Sequence, residues 1–64
     1  MIDYYLRDTH LVRGRVTTPT GIFDFIVVGL LDGSWCLSLG VDYLGKYPDF
    51  KSVELRLNSL AQGS

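Results

Sequence analysis

Sixty-four residues allow one domain, residues 1–64, and a composition 47% hydrophobic and 20% charged is too apolar for a disordered tail. One cysteine and one histidine exclude an internal disulfide and a Cys/His zinc site built from a single chain. The formal net charge of -1, split as +1 over residues 1–21 and -2 over residues 22–64, lacks the strong field of a dedicated nucleic-acid binder.

These exclusions leave a stability problem. A chain this short buries only about 60% of the surface its unfolded form exposes. With no disulfide, metal or cofactor to help, the remedy left is a partner: another protein, a second copy of the chain, or both. No signal-peptide pattern opens the sequence. Its most apolar stretch, Ile22 to Leu31, is interrupted by Asp24 and is about half the length of a membrane helix. The expectation is a soluble cytoplasmic protein without membrane contact.

In chain order, Asp3–Arg7 reads as a short first strand, because tyrosines at positions 4 and 5 favour extended backbone. Asp8 and His10 follow, two residues apart. A carboxylate beside an imidazole is a component of general-base catalysis, yet no nucleophile accompanies the pair. Loop residues before a strand are the plainer reading.

His10–Thr18 reads as the next strand. It alternates Leu11, Arg13, Arg15 and Thr17 against Val12, Gly14, Val16 and Thr18, so its arginine face is expected to be wet. Arg13 and Arg15, beside the bare backbone of Gly14, form a candidate contact for phosphates or an acidic surface, with Arg7, Tyr4 and Tyr5 as added groups. The competing reading is an edge strand on which charge discourages aggregation.

Thr18-Pro19-Thr20-Gly21 is a turn, with proline at its second position and glycine restoring strand pairing. The strand after it, Ile22–Leu31, carries Phe23, Phe25, Val27 and Leu31 on one face. Its other face carries Ile22, Ile26, Val28 and Leu30, with Asp24 among them. Asp32-Gly33 marks a tight hairpin into Ser34–Leu39. There Trp35, Leu37 and Leu39 share a face, and Cys36 lies on the small-residue face. Nothing basic adjoins Cys36 in sequence, so it reads as packing rather than as a reactive thiol. Trp35 reads as core, with a binding anchor as the alternative.

Asp42 to Asp49 reads as a loop whose Tyr43 and Tyr47 either contact a partner or fold back on the sheet. For residues 50–61, Asp49 can cap a helix, Phe50, Val53, Leu57 and Leu60 recur at helical spacing, and Gly63 can end it. Val53, Leu55 and Leu57 also alternate as a strand would. Capping and propensity favour the helix. Gln62-Gly63-Ser64 has the composition of a frayed tail.

The fold class expected is α+β: a small antiparallel meander of three to four strands with one C-terminal helix on one face. A small all-β barrel, with residues 52–58 as its last strand, is the alternative. A single helix covers one face of such a sheet, and the other apolar face then needs a partner. The functional expectation is a non-catalytic protein-interaction module, a small adaptor or inhibitor of the kind a phage or other mobile element encodes to block a host complex. It is expected to dimerise and to use Phe23, Phe25, Val27, Tyr43 and Tyr47 at its interface. A nucleic-acid-binding module built on Arg7, Arg13 and Arg15 is the second reading, disfavoured by charge. A small enzyme with a site shared across a dimer, reusing Asp8 and His10, is the third. No Walker loop, dinucleotide fingerprint or nucleophile elbow occurs, and so short a chain has little room for a pocket that excludes water.

Overall fold

A computed structural model describes residues 1–63. Five antiparallel strands follow one another as β1 (Ile2–Arg7), β2 (Leu11–Thr18), β3 (Gly21–Gly29), β4 (Trp35–Leu39) and β5 (Asp42–Tyr47), and helix α1 (Phe50–Gln62) closes the chain. Spatial order equals sequence order, so every strand pairs with its chain neighbour. The sheet is open: β1 and β5 are its two edges, and the barrel alternative is overturned.

The turns explain the meander. Pro19 and Thr20 form the β2–β3 turn, where the Thr18 hydroxyl donates to the Gly21 carbonyl at 2.9 Å and accepts from the Thr20 N–H at 3.2 Å. The β3–β4 connection is longer than the sequence suggests, because β3 stops at Gly29 and β4 starts at Trp35. The Leu30 N–H donates to the Ser34 carbonyl at 2.8 Å, and the Asp32 carboxylate takes both the N–H and the hydroxyl of Ser34. That local network captures Leu30 and Leu31 for the turn. Leu31 is therefore fully exposed instead of sharing a face with Phe23 and Phe25.

Residues 42–47, expected as a loop, form strand β5. Gly40, at φ 59°, takes the first position of a two-residue turn in which only that position needs a left-handed backbone. A bulge between the Leu37 and Ser38 pairings, with Gly45 at φ 137°, then resets the alternation. Tyr43 and Lys46 consequently share one face, while Leu44 and Tyr47 pack toward the core.

The strand alternative for residues 52–58 is also overturned. The Asp49 carboxylate accepts the Ser52 N–H at 2.8 Å, which satisfies one of the free donors at the start of α1 and holds the Asp49 carboxyl below its ordinary range. Gly63, at φ 85°, ends the helix, and its N–H returns to the Leu60 carbonyl at 3.1 Å. Gln62 is thus the last helical residue and Gly63 its cap, whereas Ser64 lies outside the described residues. Val53 and Leu57 are fully buried and Leu55 is exposed, so the helical period places these side chains.

The core lies between α1 and one sheet face: Val12, Val16, Phe25, Val27 and Leu37 below, Val53 and Leu57 above. Gly14 is part of this core. A Cβ there would meet the Asp3 carbonyl oxygen and approach the Phe25 ring at 2.7 Å. The missing side chain lets Phe25 lie across β2, where it meets Tyr4 edge-on at 5.8 Å between ring centres. Near the start of α1, Trp35 packs edge-on against Phe50 at 5.1 Å, and the Arg7 guanidinium sits 5.0 Å from the Tyr4 and Phe50 rings. Among the described residues, no helix is long and apolar enough to cross a membrane.

Candidate functional site: the open face of the sheet

Helix α1 covers the face carrying Phe25 and Val27, which are 1% and 0% exposed. Two residues expected at an interface are thus core residues, for the physical reason that the helix docks on their side. Tyr47 also turns inward and packs against the core. Phe23, 38% exposed, lies beyond the helix and lines a cleft of about 390 Å³ with Leu39, Leu60 and Pro19. Asp42 stands in the same cleft. Of the five, Tyr43 alone projects onto the opposite face, where it is 63% exposed.

That opposite face is assembled by strand register. Leu6 pairs with Arg13, Arg13 with Ile26, Ile26 with Ser38 and Ser38 with Tyr43, giving one row across all five strands. A second row runs Leu11, Val28, Cys36 and Lys46. Paired residues project on the same side of a sheet, so each row is a continuous strip. Ile26 and Val28, on the central strand, are 37% and 42% exposed, and Ile22 farther along the same strand is 61% exposed. Sequence reasoning had these aliphatics on a face opposite Phe25 without fixing which face the helix takes. The signal was available: register sets Arg13 against Ile26 and Arg15 against Asp24, and charged neighbours mark that side as the wet one.

Charges on the open face are largely spoken for. Arg15 Nε lies 3.6 Å from Asp24 Oδ1, and the Arg15 guanidinium stacks 5.4 Å from the centre of the Tyr5 ring. Lys46 Nζ lies 3.4 Å from Asp32 Oδ2. Two hydrogen bonds from Ser34, hydroxyl first and then N–H, lower the Asp32 carboxyl to about 2, with Lys46 adding a smaller push. Arg13 has no ion pair among the described residues. Arg7 belongs elsewhere, against the rings on the helix side, so the three arginines grouped by sequence do not share one surface. Strand β2 is interior, between β1 and β3, and Gly14 is covered by Phe25; neither the edge-strand reading nor the bare-backbone reading of Arg13-Gly14-Arg15 holds.

Cys36 is half-buried on the open face, and the Tyr43 hydroxyl donates to its Sγ at 3.7 Å. That bond, with some burial, raises the Tyr43 hydroxyl above its ordinary range. Trp35 is part of the helix-side packing. Asp8 and His10 are both exposed on the β1–β2 turn, where the Asp8 carboxylate accepts the Thr9 N–H at 2.7 Å. The cleft beside Phe23 includes neither of them. Among the described residues, no three His, Cys, Asp or Glu side chains gather in a way that could hold a metal ion.

The arrangement therefore offers a broad, shallow, apolar-centred surface with hydrogen-bonding groups at its rim. Compared with protein-family models, with curated proteins and with solved structures, the chain finds no match.

Proposed function

We propose that this chain is a non-catalytic protein-interaction module, a small adaptor or inhibitor, whose binding surface is the open face of the sheet. One observation carries the reading: the central strand presents Ile22, Ile26 and Val28 to solvent on the face that α1 leaves uncovered. Ile26 and Val28 adjoin at the middle of the face, with Asp24 standing between them and Ile22, and aliphatics with tyrosine and paired charges around them are the ordinary anatomy of an interface. Tyr43 supplies a large, stiff contact at small entropy cost.

The nucleic-acid reading has Arg13, Arg15, Tyr5 and Tyr43 on one exposed face in its favour. Asp24 beside Arg15 and Asp3 opposite it weigh against, because phosphate binding needs uncompensated positive charge.

Affinity capture with three baits tests the proposal: the unchanged chain, Ile26→Glu, and Leu55→Glu as a control on the exposed side of α1. Partners held by the unchanged chain are expected to vanish with Ile26→Glu and to persist with Leu55→Glu. Equal capture by all three, with folding intact by circular dichroism, would remove the open face from consideration.

A further inference from the structure

We infer that the cleft beside Phe23 is a binding site for a small organic monocation, an amine or guanidine carried on a flat apolar body. The cleft lies on the helix side of the sheet, so the inference stands apart from the reading of the open face.

The cleft exists because the sheet lacks a corner. Pairing between β3 and β4 stops at Leu39, opposite Phe25, and the chain turns toward β5 at Gly40. Phe23, two residues earlier on β3, therefore keeps Val16 as its neighbour on β2 and has no paired residue on β4. The space left is walled by Pro19 and Thr20 of the β2–β3 turn, by Leu39 and Asp42 where β4 meets β5, and by Leu60 and Gly63 at the end of α1. Gly63 brings the helix end against that turn, since a Cβ there would lie 2.8 Å from Pro19 Cγ. The volume, about 390 Å³, falls within the roughly 300–1,000 Å³ of small-ligand sites.

The walls select the ligand. Phe23, Leu39, Leu60 and Pro19 offer an apolar lining for a ring. The threonine hydroxyls are used inside the turn: Thr18 donates to the Gly21 carbonyl, and its oxygen lies 3.1 Å from the Thr20 hydroxyl. Asp42 differs from them. Its pairing with Leu39 puts it on the helix side, and among the described residues its carboxylate has neither an ion pair nor a hydrogen bond. No basic side chain lines the cleft, and the last turn of α1 carries none to offset the negative end of the helix. An uncompensated carboxylate, a helix carbonyl end and an aromatic ring all favour positive charge, whereas an anion is repelled by the first two.

Titration of the isotope-labelled full chain, followed by its amide NMR shifts, tests this with two probes that share one ring. Tryptamine is the cation and indole-3-propionate the anion. Tryptamine is expected to move the amides of Thr20, Phe23, Leu39 and Gly63 saturably in the millimolar range. It should bind at least about tenfold tighter than indole-3-propionate. Asp42→Asn, at an exposed position, should shrink that ratio to about threefold or less, the remainder coming from the helix end. No saturable shift with tryptamine overturns the inference. Equal affinities for the two probes in the unchanged chain overturn it too, as does a preference for the cation that survives Asp42→Asn intact. Shifts centred on Ile26 and Val28 would put the binding on the open face and overturn the site. None of these outcomes bears on the three-bait comparison.

Discussion

The two faces of this sheet are built from the same strands, and both carry aliphatic side chains on β3, yet only one forms a core. On the helix side, Val16, Val27 and Leu37 lose all contact with solvent, and so do Val53 and Leu57 above them. On the other side, Ile26 and Val28 keep more than a third of their surface exposed. Hydrophobicity does not separate the two sets. Their neighbours do: Gly14 leaves room for Phe25 and Tyr4 on one side, whereas Arg13 and Arg15 flank Ile26 on the other. A face becomes core when adjacent strands offer it shape and no charge.

The contrast can be broken most strongly at its centre. Leu57→Ala is expected to cost about 2–5 kcal/mol, since it empties a filled space between helix and sheet. The loss, read by urea unfolding, should be the same at every protein concentration. Ile26→Ala should cost about 1 kcal/mol or less, because more than a third of that side chain already meets solvent and its loss leaves no enclosed cavity. Equal costs for the two substitutions at low concentration would mean that the faces are not distinct.

A subtler change tests why the covered face packs. Gly14→Ala introduces a methyl group against a backbone carbonyl and the Phe25 ring, and the carbonyl cannot step aside without disturbing the β1–β2 ladder. The expected cost is about 1–3 kcal/mol, with the near-ultraviolet signal of Tyr4 and Phe25 altered. An unchanged midpoint and spectrum would show that the ring does not rely on the gap.

The smallest effect sharpens the comparison at the rim of the open face. Asp32 titrates near about 2 in the folded chain against an ordinary 3.8, so its contribution to stability is present above about pH 4 and is lost as pH falls toward 2. Asp49, also lowered through its bond to Ser52, acts in the same direction. Asp32→Asn should lower the neutral plateau slightly, by the contribution this carboxylate makes there, and so flatten the acid limb of the stability profile. A steep acid limb that survives the substitution would assign it to other carboxylates.

Much of the fold was legible because its signals are local. Pro19 and Gly21 mark one turn, Asp32-Gly33 another, and Asp49 caps α1 at the position its sequence announces. Strand β5 was hidden because Gly40 and Gly45 resemble loop glycines until one is seen to begin a turn and the other to reset a register. The uncovered face was only half legible. Alternation along β3 yields two apolar faces of equal merit, and the arginines of β2 decide between them only after strand pairing sets Arg13 beside Ile26. Tyr43 and Tyr47, expected in a loop, had no side in the sequence; pairing with Ser38 puts Tyr43 on the open face, and the bulge after it turns Tyr47 toward the core.

Nearest-neighbour strand order also governs how the chain reaches this state. Each hairpin closes a short loop, so the sheet can zip from any turn with little entropy lost, and such local wiring favours rapid folding. The helix is the exception: it comes last in the chain and packs most heavily on β2, with β1, β4 and β5 touching it to an equal, smaller extent. Until residues 50–62 dock, Phe25, Val27 and Leu37 have no cover, so packing of α1 is the step that dries this face of the sheet.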